Sequence, residues 1–111
     1  MKDIKISLLL DFYGDILTDK QREAVELYYN EDLSLSEIAE QTDITRYGIR
    51  DRIVKSENIL IDMEDKLGLA KRFEDMKTVI ESIINKLENI KNDKDISVID
   101  DIIISAKTLL D

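Results

Sequence analysis

A chain of 111 residues amounts to about one domain at roughly 100 to 200 residues per domain, with room for one modest core. It has no proline and only three glycines and is rich in Ile, Leu, Glu, Lys and Asp, a composition that favours long uninterrupted helices. Cysteine and histidine are both absent, which excludes a disulfide framework, a Cys/His zinc site, a thiol nucleophile and histidine acid–base chemistry, and the net charge of −9 has the wrong sign for a protein that coats nucleic acid nonspecifically.

The N-terminal stretch MKDIKISLLLDFYGD has an apolar run of three leucines closed by Asp11, so it reads as neither a signal peptide nor a membrane span, and a cytoplasmic protein is expected. Residues 4 to 17 predict a helix with Leu8, Leu9, Phe12, Tyr13 and Ile16 on one side. Thr18 with Gln21 makes a capping-box pattern that starts a second helix, whose apolar face is Ala24, Val25, Leu27 and Tyr28. Each of these helices has a single apolar stripe, so both must pack on helices later in the chain.

Residues 33 to 55, LSLSEIAEQTDITRYGIRDRIVK, predict two short helices joined by a tight turn, a helix-turn-helix. Ser34 caps the first helix while Glu37 reaches back to complete the box, and Ile38 and Ala39 face inward. Thr42, Asp43 and Ile44 form the turn, in which Asp43 tolerates non-helical angles and Ile44 plugs the gap between the helices. Thr45 caps the second helix. That helix turns Ile49 and Ile53 inward and leaves Arg46, Tyr47, Arg50, Arg52 and Lys55 on its outer surface as candidate nucleic-acid contacts.

Charge singles out the same helix. Residues 1 to 45 carry net −7 and residues 56 to 111 net −5, whereas residues 46 to 55 carry four basic side chains and one acidic, net +3. A lone basic island in an acidic chain fits a narrow nucleic-acid contact. The plainer alternative is a solvated helix face. Tyr47 can stack on a base or pack on a neighbouring helix, and Gly48 allows close approach of either a phosphate backbone or another helix.

Beyond the motif, Ile49, Ile53, Ser56, Leu60, Met63 and Leu67 succeed one another at steps of four and three, a heptad seam broken only by Ser56. The second helix of the motif is therefore expected to run on to about Leu67 and to end at a left-handed Gly68. A second seam runs through Leu69, Phe73, Met76, Ile80, Ile83, Leu87 and Ile90, which suggests an antiparallel hairpin or a surface for another chain. Residues 92 to 95, NDKD, read as a polar linker before a last, broadly apolar helix from about Ile96 to Leu110. So much apolar stripe predicts a homodimer.

The expected fold is all-α, one helical domain over residues 1–111, with a wingless helix-turn-helix core at 18–67, long C-terminal helices forming a hairpin, and residues 69–111 as a packing or dimerisation arm. The pairs Glu64/Asp65, Glu74/Asp75 and Asp100/Asp101 point about 100° apart on a helix and cannot share a ligand. No catalytic residue, metal site or cofactor is assigned, and an enzyme is not expected.

The stretch LTDKQREAVELYYNEDLSLSEIAEQTDITRYGIRDRIVKSENIL resembles the DNA-reading fourth region of bacterial sigma factors, with its LT-x-x-Q-R helix, EIA helix and basic recognition helix. Over residues 5 to 90, and most specifically at DFYGDILTDKQ and YYNEDLSLSEIAE, the chain is more similar to the YlxM family of small bacterial helix-turn-helix proteins. That family's recognition helix usually opens with Ser-Arg-Gln. Here Thr45, Arg46 and Tyr47 stand in those places, so the arginine carries over and the amide does not. The resemblance implies an all-helical, often dimeric protein with a regulatory role linked to the signal recognition particle, its genes lying beside those of the particle's GTPase and receptor. It implies one of two functions: a regulator that binds DNA or the particle's RNA through its basic helix, or a protein-interaction factor of the targeting machinery, with the particle's GTPase as partner and the motif mainly a scaffold.

Overall fold

The structure is a computed structural model that describes residues 3–94 and 96–110. Six α-helices and one short 3-10 turn make up the described residues, with no strand among them: α1 Ile4–Tyr13, the 3-10 turn Gly14–Ile16, α2 Asp19–Tyr29, α3 Leu35–Thr42, α4 Arg46–Leu67, α5 Leu69–Asp93 and α6 Ile99–Thr108. The chain forms two compact units, Met1–Ala70 and Lys71–Asp111.

Local chemistry starts the helices of the first unit where the sequence places them. Thr18 accepts from the Gln21 amide at 3.2 Å while the Gln21 side chain accepts from the Thr18 amide at 3.0 Å. Ser34 and Glu37 repeat the reciprocal arrangement, both contacts at 3.1 Å, so each helix has two of its free N-terminal donors satisfied.

The long helix α4 is the strut of this unit, packing against α1, α2 and α3. Its first half joins Ile49 and Ile53 to Ala24 and Ile38, and its second half joins Leu60 to Ile6, Leu9, Leu10, Tyr13, Leu17 and Val25. Tyr29 of α2 borders both clusters. Burial, with the Glu57 carboxylate beside it, pushes the Tyr29 phenol well above its ordinary range. Ser56, the break in the seam, lies fully buried between the two clusters. Its hydroxyl donates to the Arg52 carbonyl at 2.7 Å, so a polar side chain enters the core without an unmet hydrogen bond.

The N-terminal helix departs from its predicted face. Ile6, Leu9, Leu10 and Tyr13 are buried, Leu8 and Phe12 are partly so, and Ile16 is exposed. After Tyr13 the chain tightens into the 3-10 turn and leaves the helix at Leu17, whose backbone is extended (φ −78°, ψ 151°); there Leu17 enters the core while Ile16 stays outside.

Where α4 ends, Gly68 takes the left-handed conformation at φ 64°, and Tyr13 and Glu64 cap the next helix. The Tyr13 hydroxyl donates to Glu64 Oε1 at 2.7 Å and accepts from the Leu69 amide at 3.1 Å, while Glu64 Oε1 also accepts from the Ala70 amide at 3.0 Å. A carboxylate at a helix N-terminus meets both free donors and the positive end of the macrodipole. Burial and the Glu64 hydrogen bond raise the Tyr13 pKa. A Cβ on Gly68 would meet nothing within 4 Å, so the cost of Gly68→Ala is the left-handed backbone alone. The expected loss is about 1 kcal/mol, read as a lower urea midpoint, with Gly68→Asn milder; an unchanged or higher midpoint for the alanine variant would contradict the assigned backbone.

In the second unit, helix α5 outruns its predicted end. Asn92 and Asp93, expected in a linker, belong to the helix, which closes where Lys94 turns left-handed and its amide donates to the Ile90 carbonyl at 2.7 Å. Polar residues do not by themselves break a helix. Asp95, the last residue of the expected linker, lies outside the described residues. The final helix is shorter than predicted because residues 96 to 98 form a tight turn, closed by the Ile99 amide on the Ile96 carbonyl at 3.2 Å.

Arg72, Asp75, Met76 and Val79 of α5 line one groove with Thr108 and Leu109 of α6, so the end of α6 lies beside the start of α5 and the two form an antiparallel hairpin. Val79, Ile83 and Ile90 on α5 are half-buried, as are Ile102 on α6 and Val98 and Leu109 at its two ends. Phe73, Ile80, Ile84, Leu87, Ile99 and Ile103 remain exposed. On each helix the exposed stripe lies about 100° further round, in the chain's own sense, than the half-buried one: Ile84 after Ile83, Ile103 after Ile102. Because the helices run in opposite directions, that equal rotation brings both stripes to one side of the hairpin. The second unit thus carries one open apolar face.

Candidate nucleic-acid interface

The motif's turn keeps Asp43 and Ile44 as predicted, while Thr42, expected in it, is the last residue of α3, its hydroxyl donating to the Ile38 carbonyl at 2.7 Å. α3 closes on Asp43 in the left-handed conformation (φ 57°, ψ 35°), and partly buried Ile44 packs on the cluster of Ala24, Ile38, Ile49 and Ile53. Thr45 caps α4 by accepting from the Gly48 amide at 3.0 Å. Gly48 has a reason that neither sequence alternative names: a Cβ there would meet Ile44 Cγ2 and Thr45 Oγ1, each at 3.0 Å. The glycine makes room for the turn's plug and the helix's cap, both inside the motif.

The buried stripe of Ile49, Ile53, Ser56 and Leu60 defines which way α4 faces inward. At 100° per residue, Arg46 and Arg50 then lie about 50° and 90° to one side of that direction, and Arg52 and Lys55 about 70° and 130° to the other. Residues two apart stand about 200° apart, so Arg50 and Arg52 occupy opposite flanks. Burial agrees with this arrangement: Arg46 and Arg50 are exposed, whereas Arg52, which the sequence places on the outer surface, is half-buried against the body of the unit. Arg50 lines a shallow cleft with Tyr28, Leu35 and Glu57, on the side of α2 and α3. Lys55 is exposed but engaged, its Nζ 3.0 Å from Asp51 Oδ2. Tyr47 is 76% exposed, which removes the alternative that it packs on a neighbouring helix.

The outermost line of the helix is therefore not its line of arginines. Tyr47, Asp51 and Asn58 stand within about 40° of the direction opposite the core, with half-exposed Val54 beside them. Reading by charge alone passes over Asp51, Val54 and Asn58, although taking the direction opposite the seam finds them. The site is a crest of one aromatic, one acid and one amide between basic flanks, a form suited to contacting a surface rather than to chemistry on a small molecule. Among the described residues no cluster of acids is arranged to hold a metal, and no helix is long and apolar enough to cross a membrane.

A family model described as "Putative helix-turn-helix protein, YlxM / p13 like" matches residues 1–102 of this chain. A UPF0122 protein of Clostridium kluyveri is 41% identical over 99 residues, covering 89% of each chain. One of Desulforamulus reducens is 45% identical over 84 residues, covering 76% of this chain and 72% of its own. One of Caldanaerobacter subterraneus is 50% identical over 78 residues, covering 70% and 67%.

Proposed function

This chain belongs to the YlxM/p13-like (UPF0122) family of helix-turn-helix proteins, and from that membership we propose that it is a cytoplasmic regulatory protein, not an enzyme, that lays the first turns of α4 in the major groove of duplex DNA. The observation that carries this reading is Tyr47, projecting on the crest beside the flank that holds the exposed cations Arg46 and Arg50, at the start of a helix that is otherwise the core strut of an acidic protein. An α-helix fits the major groove of B-form DNA, about 12 Å wide, whereas the deep, narrow major groove of A-form RNA does not admit one. Arg46 and Arg50 on one flank meet one phosphate wall, and the crest faces the bases.

Duplex affinity measured against salt tests the assignment. In the Arg46→Ala/Arg50→Ala protein the slope of log K against log salt should flatten by about two units, one for each arginine–phosphate pairing removed. An unchanged slope removes α4 as the contact. Equal or tighter binding of wild type to the particle's RNA hairpin moves the assignment from DNA to RNA.

The proposed assembly is a homodimer through the open apolar face of α5 and α6. Among the described residues Ala70 is the one buried side chain of α5 and α6 has none, so a two-helix hairpin of this kind lacks a core of its own. A single basic patch of net +3 binds weakly, and two patches on one assembly raise the effective affinity. A second reading, a protein-interaction factor of the targeting machinery, is favoured by the net charge of −9, which suits docking on a basic partner such as the particle's GTPase. Capture of that GTPase by the pure protein, retained by the double-arginine variant, would support it.

A further inference from the structure

An acid on the crest of α4 opposes the binding proposed for that helix. Asp51 is the one acidic side chain among residues 46 to 55, and it stands about 190° from the inward direction of α4, pointing straight away from the core. A carboxylate there repels the phosphates of every duplex, whatever its sequence. It is recovered only where a base offers an amino group to it, and in the major groove the carboxylate partner of choice is the N4 amino group of cytosine. Phosphate repulsion everywhere with a hydrogen bond at one base raises discrimination at the expense of general affinity.

Resting on the reading that α4 enters a DNA groove, we propose that Asp51 is a specificity-determining residue that selects a cytosine in the bound site. Lys55 is its positioning partner. Its ammonium lies 3.0 Å from Asp51 Oδ2, one turn further along, and both side chains are more than half exposed, so in the free protein the pair holds the carboxylate on the crest and screens its charge. Along the same crest, Tyr47 one turn before it offers a ring to stack, Val54 nearly one turn after it can meet a thymine methyl, and Asn58 two turns after it carries an amide of the kind that reads adenine. Arg46 and Arg50 lie on the flank and hold the backbone. On this division of labour the arginines set how tightly the protein binds, and the crest sets where.

The experiment is selection from a pool of random duplex DNA by the full-length protein and its Asp51→Ala and Asp51→Asn variants, with affinity for unselected duplex measured alongside. Wild type should enrich sites with an invariant cytosine. Asp51→Ala should lose the preference at that one position, about tenfold or more in relative affinity, while binding unselected duplex more tightly than wild type. Asp51→Asn should move the preference toward adenine. Both variants keep an exposed helical position, and circular dichroism checks their fold. If the variants enrich the same sites as wild type, or if wild type binds duplex with no base preference, Asp51 has no reading role while the proposed function stands. If wild type captures no duplex even at low salt, both fall together.

Discussion

Leu60→Ala is expected to lower the unfolding free energy by roughly 2–5 kcal/mol, the range for deleting a fully buried leucine and leaving a cavity. Leu60 is wholly inaccessible, and it is where the second half of α4 meets Ile6, Leu9 and Leu10 of α1 and Val25 of α2. An alanine there would leave a cavity between α4, α1 and α2, so the cost combines the lost burial with the void. Against a total stability of about 5–15 kcal/mol for a native domain, that is a large fraction for one side chain. The measurement is the urea midpoint followed by helical circular dichroism. Ile61, one residue on, is 41% exposed and supplies the control: Ile61→Ala should cost about 1 kcal/mol or less. Equal costs at the two positions would mean that the register of α4 is not the one described.

The second large effect concerns the open face of the hairpin. Ile80→Glu with Ile84→Glu is expected to convert the proposed dimer to a chain sedimenting at 12.9 kDa. In a two-fold assembly each substitution occurs twice, and the face meets its own copy, so four carboxylates would be carried into one apolar contact. Central contact residues commonly cost at least about 2 kcal/mol each, and the doubling makes the expected weakening of the dimer about a thousandfold or more. Asn85, one residue past Ile84, points away from α6, and Asn85→Glu should leave the assembly intact. A wild-type protein that is monomeric at high micromolar concentration would end the proposal.

Caps and termini were legible in the sequence because they are local. Thr18 with Gln21, Ser34 with Glu37, and Thr45 with Gly48 each join groups three residues apart, and Asp43 and Gly68 stop helices through backbone preferences of their own. The heptad seam from Ile49 onward likewise carried the length of α4 and its buried side, since a helix of fixed pitch turns spacing into direction. The family likeness reached further than the motif, and the matched residues extend through position 102.

What the sequence determined by itself was thus the all-α class, the helix-turn-helix and its capped turn, and the location of the basic island. Tertiary structure alone decided which side of each helix is free. Where the chain leaves the helix after Tyr13, extended Leu17 rather than Ile16 entered the core, and packing drew Arg52 toward the body while leaving Tyr47 out. Tyr13 came to cap α5 together with Glu64, its partner 51 residues away. The physical reason is one of range. Caps and periodicity act over three or four residues and can be read along the chain, whereas burial depends on which distant helix arrives, and the direction of arrival is set only when the core closes.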